Sequence, residues 1–191
     1  IESRYVPTHV ENVLSWDYKI YPPGYFDYAH FSPPCTEYSQ VMTARPRRFD
    51  EADALVNRAL EILMYFRPRW WTIENPYGGL MKTRPMMQFL KPFLKRCCYC
   101  MYSEGDETWC YKKDTAIWTN IQWTPRPVCC KASPCEWFDG KCHPMCAQTH
   151  DPMPRANRLA GSTKLTRDRV FSMPPALIAE WLDCCLLYTS P

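Results

Sequence analysis

Apolar and polar positions along the chain mark out a strand, a helix and a second strand in its first half. Tyr25-Phe26-Asp27-Tyr28-Ala29-His30-Phe31 is an aromatic and apolar run closed by Pro33 and Pro34, which predicts a buried strand with Cys35 in the loop beyond its carboxyl end. Ala52, Leu55, Val56, Ala59, Leu60 and Leu63 then recur at helical spacing, between Asp50 as a predicted cap and Pro68 as a stop. Trp70-Trp71-Thr72-Ile73 predicts the second strand, which delivers Glu74. A crossover of this length makes a βαβ unit with parallel strands. Open α/β sheets bind ligands at the carboxyl ends of their strands. The pattern therefore predicts Cys35 and Glu74 on one rim.

The second half is less regular. Trp123 through Lys164 has little period and several prolines, which predicts a loop-rich lobe. From about Pro174 to Leu187, Ala176, Leu177, Ile178, Trp181, Leu182 and Cys185 form an apolar stripe, and proline suits the first turn of such a helix. The predicted organisation is a core over 1–122, a small lobe over 123–165 and a carboxyl-terminal helical segment over 166–191.

Composition narrows the classes. A chain of 191 residues fits one domain, and its net charge of +3 is too small to argue nucleic-acid binding by itself. Arg155, Arg158, Lys164, Arg167 and Arg169 crowd one stretch, where they are candidates to position a phosphate backbone. No apolar stretch is long enough to span a membrane, so no membrane contact is expected. The 12 cysteines accompany ample aliphatic helix and strand pattern, which favours a reduced, intracellular setting over a disulfide framework. Cys129, Cys130, Cys135, Cys142, His143 and Cys146 cluster in the irregular segment. The spacings Cys130-x4-Cys135 and Cys142-x3-Cys146 resemble two ligand pairs of a structural zinc site, although the regular Cys-x2-Cys repeat is lacking. Free thiols stitching an irregular loop are the alternative, and no metal is assigned to the chemistry.

The chemistry suggested by the first rim is nucleophilic. A thiol attacks as thiolate, and a loop near helix amino termini or basic side chains favours that form. Arg45, Arg47 and Arg48 follow the cysteine within reach, and the two prolines before it restrict the direction of the sulfur. A carboxyl group at the end of an apolar strand suits proton donation. Alone, Pro33-Pro34-Cys35 would read as structural, and Glu74-Asn75-Pro76 as a strand end and turn.

Together these residues resemble the DNA cytosine-5 methyltransferases, in particular the compact phage-like and virus-like members. Ser32-Pro33-Pro34-Cys35-Thr36-Glu37-Tyr38-Ser39 is similar to that family's nucleophile motif, and Glu74-Asn75-Pro76 to its Glu-Asn-Val motif. Lys112-Lys113-Asp114-Thr115-Ala116-Ile117-Trp118-Thr119-Asn120 resembles the Lys-Pro-Thr-x-x-Trp-Thr-Asn strand of the phage-like branch, and Met173-Pro174-Pro175-Ala176-Leu177-Ile178 the start of the family's last helix. The matches stand in the family's order and cover nearly the whole chain.

The resemblance implies a Rossmann-like class I methyltransferase sheet of the α/β class, with S-adenosylmethionine as cofactor and DNA as partner. It implies Cys35 as the nucleophile at C6 of cytosine and Glu74 as the acid at N3. It places Glu2, Asn12 and Pro33 at the cofactor and Ser39, Asn75, Arg45, Arg47, Lys112 and Lys113 at the substrate. The family's glycine-rich cofactor loop is not found, and an asparagine, Asn12, stands where an aspartate is expected. The sheet is accordingly expected to be partial, lacking its first strand and leaving the strand at 25–31 with an open edge. Another chain or a missing segment would complete the cofactor half. Two classes of function follow: a DNA cytosine-5 methyltransferase, or a catalytically silent descendant acting as a cysteine-rich nucleic-acid-binding or zinc-binding module.

Overall fold

The computed structural model describes residues 7–141, 143–144 and 172–187. The chain divides into two units, one holding residues 7–95 and 115–121 and the other holding 96–114 and the described residues after 121.

In the first unit, β1 (Tyr28–Phe31), α1 (Phe49–Phe66) and β2 (Trp70–Pro76) form the predicted strand-helix-strand. β1 and β2 are parallel, with Tyr28 opposite Trp70 and Phe31 opposite Ile73. β4 (Asp114–Thr119) runs antiparallel to β2, and β3 (Leu94–Cys98) completes a mixed sheet of order β1-β2-β4-β3. Asn120 supplements the sheet beside β2: its Oδ1 accepts from the Trp71 amide at 2.9 Å and its Nδ2 donates to the Arg69 carbonyl at 2.8 Å.

Two local expectations are corrected. The apolar run at 25–31 yields only four residues of strand, and these alternate between exposed and half-buried: β1 lies at the edge of the sheet, with Phe31 packed against the α1 core. Asp50 does not cap α1. The cap is Arg48, Asp50 falls in the first turn, and the Arg48 amide donates instead to the Glu37 carboxylate at 2.8 Å. The far end matches expectation: Arg67 adopts a left-handed conformation (φ 49°), its amide closes on Leu63 O, and Pro68 forbids another turn.

The core of this unit follows from the helical period. Ala52, Val56, Leu60 and Leu63 of α1 pack on Ile73 of β2 and on Ala116 and Trp118 of β4. A second cluster joins Ile62 and Phe66 to Tyr18, with Trp16, Tyr21 and Phe26 against it.

The second unit is held by short 3₁₀ turns and side chains. α2 (Pro175–Leu187) buries Leu177, Trp181 and Cys185, the i, i+4, i+8 line, while Ile178 and Leu182 of the predicted stripe are exposed. Glu180 of α2 accepts from Trp123 Nε1 at 2.9 Å and from Arg126 Nε at 2.7 Å, and the Trp123 and Trp181 rings meet edge-on. No helix among the described residues is long and apolar enough to cross a membrane.

Candidate active site

Side chains of a strand point alternately to its two faces, so Thr72 and Glu74 share one face of β2 while Ile73 and Asn75 share the other. Ile73 belongs to the α1 core, which puts Asn75 on the helix side and Glu74 on the opposite one. Both reach the loop that leaves β1. Glu74, only 6% exposed, accepts the Ser32 hydroxyl on Oε2 at 2.8 Å. Asn75, 1% exposed, donates through Nδ2 to the Pro33 carbonyl at 2.9 Å. β2 therefore grips two consecutive loop residues, one from each face of the sheet.

This grip limits how far the predicted pair can lie apart. Cys35 lies three residues beyond Ser32, and three residues of extended chain reach at most about 11 Å. The half-buried Cys35 is thus tethered at the same carboxyl-end rim as the buried Glu74. Glu74 sits within β2, opposite Ile117 of β4, and not beyond the strand's end; it is β1 that has ended at this level.

Polar contacts continue along the Glu74 face. Thr72 Oγ1 meets the Tyr28 hydroxyl at 2.6 Å and His30 Nδ1 at 2.7 Å. Desolvation lowers the pKa of His30, with the charge of Glu74 opposing that shift.

Beyond Cys35 the loop is fastened to the core. Tyr38, fully buried, donates its hydroxyl hydrogen to Asp53 Oδ1 of α1 at 2.8 Å, and its carbonyl accepts from the Leu80 amide at 2.8 Å. Arg84 holds the same Asp53 through Nε and Nη2. The Glu37 carboxylate takes both Arg45 Nη1 and Nη2 as well as the Arg48 amide, and hydrogen bonding from Arg45, then from that amide, holds its pKa down to about 2. Arg47 Nη1 donates to the carbonyls of Glu37 and Ser39, at 2.7 and 2.6 Å. Arg45 and Arg47, expected at a substrate phosphate, are thus folded back on the loop, and Ser39 meets Arg47 through its backbone carbonyl.

The remaining predicted residues lie elsewhere. Lys112 Nζ donates to the Cys129 carbonyl at 2.9 Å, and Lys113 stands 4.6 Å from the Tyr99 ring centre, both in the second unit. Asn12 is exposed in a tight turn, where its Oδ1 accepts from the Leu14 amide at 3.0 Å. Glu2 and the basic residues Arg155, Arg158, Lys164, Arg167 and Arg169 lie outside the described residues. A cavity of about 460 Å³ is lined by Trp16, Tyr21, Tyr25 and Phe26 together with His9 and Glu11. Tyr25 and Phe26 precede β1 whereas Cys35 follows it, so the cavity and Cys35 lie toward opposite ends of that strand.

Two site residues escape a reading of the motifs. Ser32 opens the nucleophile motif, yet only parallel register puts it beside Glu74; Glu37 reads as a loop acid until the fold sets it at the start of α1. The helical stop at Pro68 and the length of the crossover signal the parallel pairing, but not the register that sets Ser32 beside Glu74.

No family model matches the sequence. A protein of Frog virus 3 (isolate Goorha) named "Probable DNA (cytosine-5)-methyltransferase" is 29% identical over 188 residues, spanning 91% of this chain and 83% of the viral protein. The order of motifs, the parallel βαβ unit that unites two of them and this similarity agree: the chain is related, over nearly its whole length, to the DNA (cytosine-5)-methyltransferase family.

Proposed function

We propose that the chain is a DNA cytosine-5 methyltransferase in which Cys35 is the nucleophile and Glu74 the acid. The observation that carries this reading is the double grip of β2 on the loop after β1, Ser32 on Glu74 and Asn75 on Pro33, which keeps the thiol and the carboxyl group on one rim. The Cys35 thiolate adds to C6 of cytosine while the Glu74 carboxyl group gives its proton to N3, so the ring electrons collect at C5. Once C5 has been substituted, loss of its hydrogen as a proton and expulsion of the thiolate restore the aromatic ring. Cytosine edges are closed off inside a duplex, so the base is flipped out, at a cost of about a few kcal/mol.

S-adenosylmethionine is the methyl donor such a reaction requires, and the described residues do not fit it. Asn12 uses its side-chain carbonyl within its own turn, the Pro33 carbonyl is taken by Asn75, and the aromatic cavity lies toward the other end of β1 from Cys35. The donor would have to be held by groups outside the described residues, from this chain or another. β1 is the edge strand at which such a complement would join. The need to keep Cys35 as a thiol suits a reducing, intracellular setting.

The addition step is testable without the methyl donor. Reversible attack at C6 with protonation at C5 exchanges the C5 hydrogen with solvent. Cytosine-containing DNA incubated with the full chain in deuterium oxide is expected to gain deuterium at C5, and C35S is expected to abolish the gain. Equal exchange by C35S would overturn the nucleophile assignment; no exchange by the unaltered chain would favour the silent nucleic-acid-binding module.

A further inference from the structure

The irregular second unit brings four metal-binding side chains to one point. Cys100 comes from the 3₁₀ turn Tyr99–Tyr102, Cys129 and Cys135 flank a small bridge in which Cys130 and Ser133 exchange backbone hydrogen bonds of 3.1 and 3.2 Å, and His143 follows. Their ligand atoms all lie within 4.8 Å of one another, and all four residues are buried. His143 Nε2 stands 3.3 Å from Cys135 Sγ and 3.6 Å from Cys129 Sγ. Zinc bonds of roughly 2.3 Å to sulfur and 2.0–2.1 Å to nitrogen, set tetrahedrally, space a sulfur and a nitrogen ligand about 3.5 Å apart. The observed separations are those of tetrahedron edges.

We infer that Cys100, Cys129, Cys135 and His143 form a structural Zn²⁺ site. Three thiolates and an imidazole are a soft donor set that selects zinc over magnesium or calcium, and four protein ligands close the tetrahedron, leaving no position for a reacting water. The surroundings match a bound thiolate centre. The Cys135 amide points at Cys129 Sγ (3.4 Å), and the Lys112 ammonium, on the Cys129 carbonyl, sets a positive charge beside a centre whose three thiolates outweigh one Zn²⁺ by a single charge. Trp137, Phe138, Met101 and Val128 pack around the sulfurs and shield them from water. The unit has few regular elements, and a metal joining residues 100, 129, 135 and 143 supplies cross-links its backbone does not.

This ligand set corrects the pairing suggested by spacing. Cys130 is exposed, and its neighbour Cys129 points inward; Cys100, far upstream, takes the place expected of a later cysteine. Cys142 and Cys146 lie outside the described residues.

The test is metal analysis and cobalt replacement on the full chain, purified under reducing conditions from zinc-supplemented cells. One zinc per chain is expected, and Co²⁺ exchanged into the site should give the d–d bands of a tetrahedral centre with sulfur-to-metal charge transfer. H143C keeps four ligands and should retain the metal, with charge transfer about one third stronger as thiolates rise from three to four. C130S, C142S and C146S should each leave metal content and spectrum unchanged, whereas C135S should lose or weaken binding. Absence of stoichiometric zinc together with no tetrahedral cobalt spectrum would overturn the site. An unaltered spectrum in H143C, or loss of metal in C142S or C146S with the fold intact by circular dichroism, would overturn this ligand set.

Discussion

Ser32 donates its hydroxyl hydrogen to Glu74 across 2.8 Å, joining the residue that opens the nucleophile loop to the carboxylate buried in β2. A carboxyl group held this way has one oxygen fixed, so its other oxygen has a defined direction. Replacing Ser32 with alanine removes this restraint. S32A is expected to slow C5 exchange about tenfold, equivalent to roughly 1.4 kcal/mol, while E74Q, which keeps the shape but has no proton to give, is expected to slow it by about 10²–10⁴. Deuterium incorporation at C5, measured by mass spectrometry, distinguishes the two; equal rates in E74Q and the unaltered chain would remove Glu74 from the chemistry.

Glu37 links the Cys35 turn to the start of α1, and its ionised form is the one that Arg45 and the Arg48 amide bind. Its pKa of about 2 in the folded chain lies below the roughly 4.3 of a free glutamate. A depressed carboxyl pKa stabilises the fold above the unfolded value, and that contribution fades as pH falls from about 4.3 toward 2. Denaturant melts between pH 7 and pH 2 are expected to show E37Q less stable at neutral pH, with the gap to the unaltered chain closing through this window. A gap that persists at the acid end would show that the loss is steric.

Gly78 and Gly79 make a matched pair. A Cβ on Gly79 would stand 3.0 Å from the Pro76 carbonyl oxygen and 3.7 Å from Asn75 Oδ1, whereas one on Gly78 meets nothing within 4 Å. The turn after β2 brings Gly79 this close by its own hydrogen bond to Pro76, and Asn75 Oδ1, buried and without a hydrogen-bond partner among the described residues, sits beneath it. G79A is expected to cost about 1 kcal/mol or more, and G78A to stay within about 0.5 kcal/mol of the unaltered chain. Chemical denaturation of the two variants side by side decides it.

Asp53 carries the fixture of Tyr38, accepting its hydroxyl and three contacts from Arg84. D53N leaves the Arg84 guanidinium without its counter-charge, and a loss of about 1–3 kcal/mol is expected. Because Tyr38 anchors the loop, the rate of C5 exchange should fall as well; an unchanged rate in a destabilised D53N would separate loop position from fold stability.

Much of the sheet unit was legible in the chain. The period of Ala52, Val56, Leu60 and Leu63 and the stop at Pro68 predict α1, and the length of the crossover predicts the parallel pairing that is seen. These are local signals, each contained in one stretch of backbone. Asp50 does not serve as the cap because a cap is decided by what lies near the first free amides, and there the fold supplies Glu37 from another segment. The aromatic content of 25–31 predicts a buried strand, but burial depends on neighbours, and among the described residues β1 has a strand on one side alone.

By itself the sequence determined the order of elements of the βαβ unit, its parallel strands, and the resemblance carried by the motifs around Cys35 and Glu74. Tertiary structure alone decided that Ser32 and Asn75 hold the loop from opposite faces, that Arg45 and Arg47 turn inward, and that Cys100 and Cys129, not Cys130, converge with Cys135 and His143. The reason is range. Periodicity and turn chemistry act over a few residues, whereas a register, an ion pair or a four-ligand cluster is set by distances between segments that only the folded chain brings together.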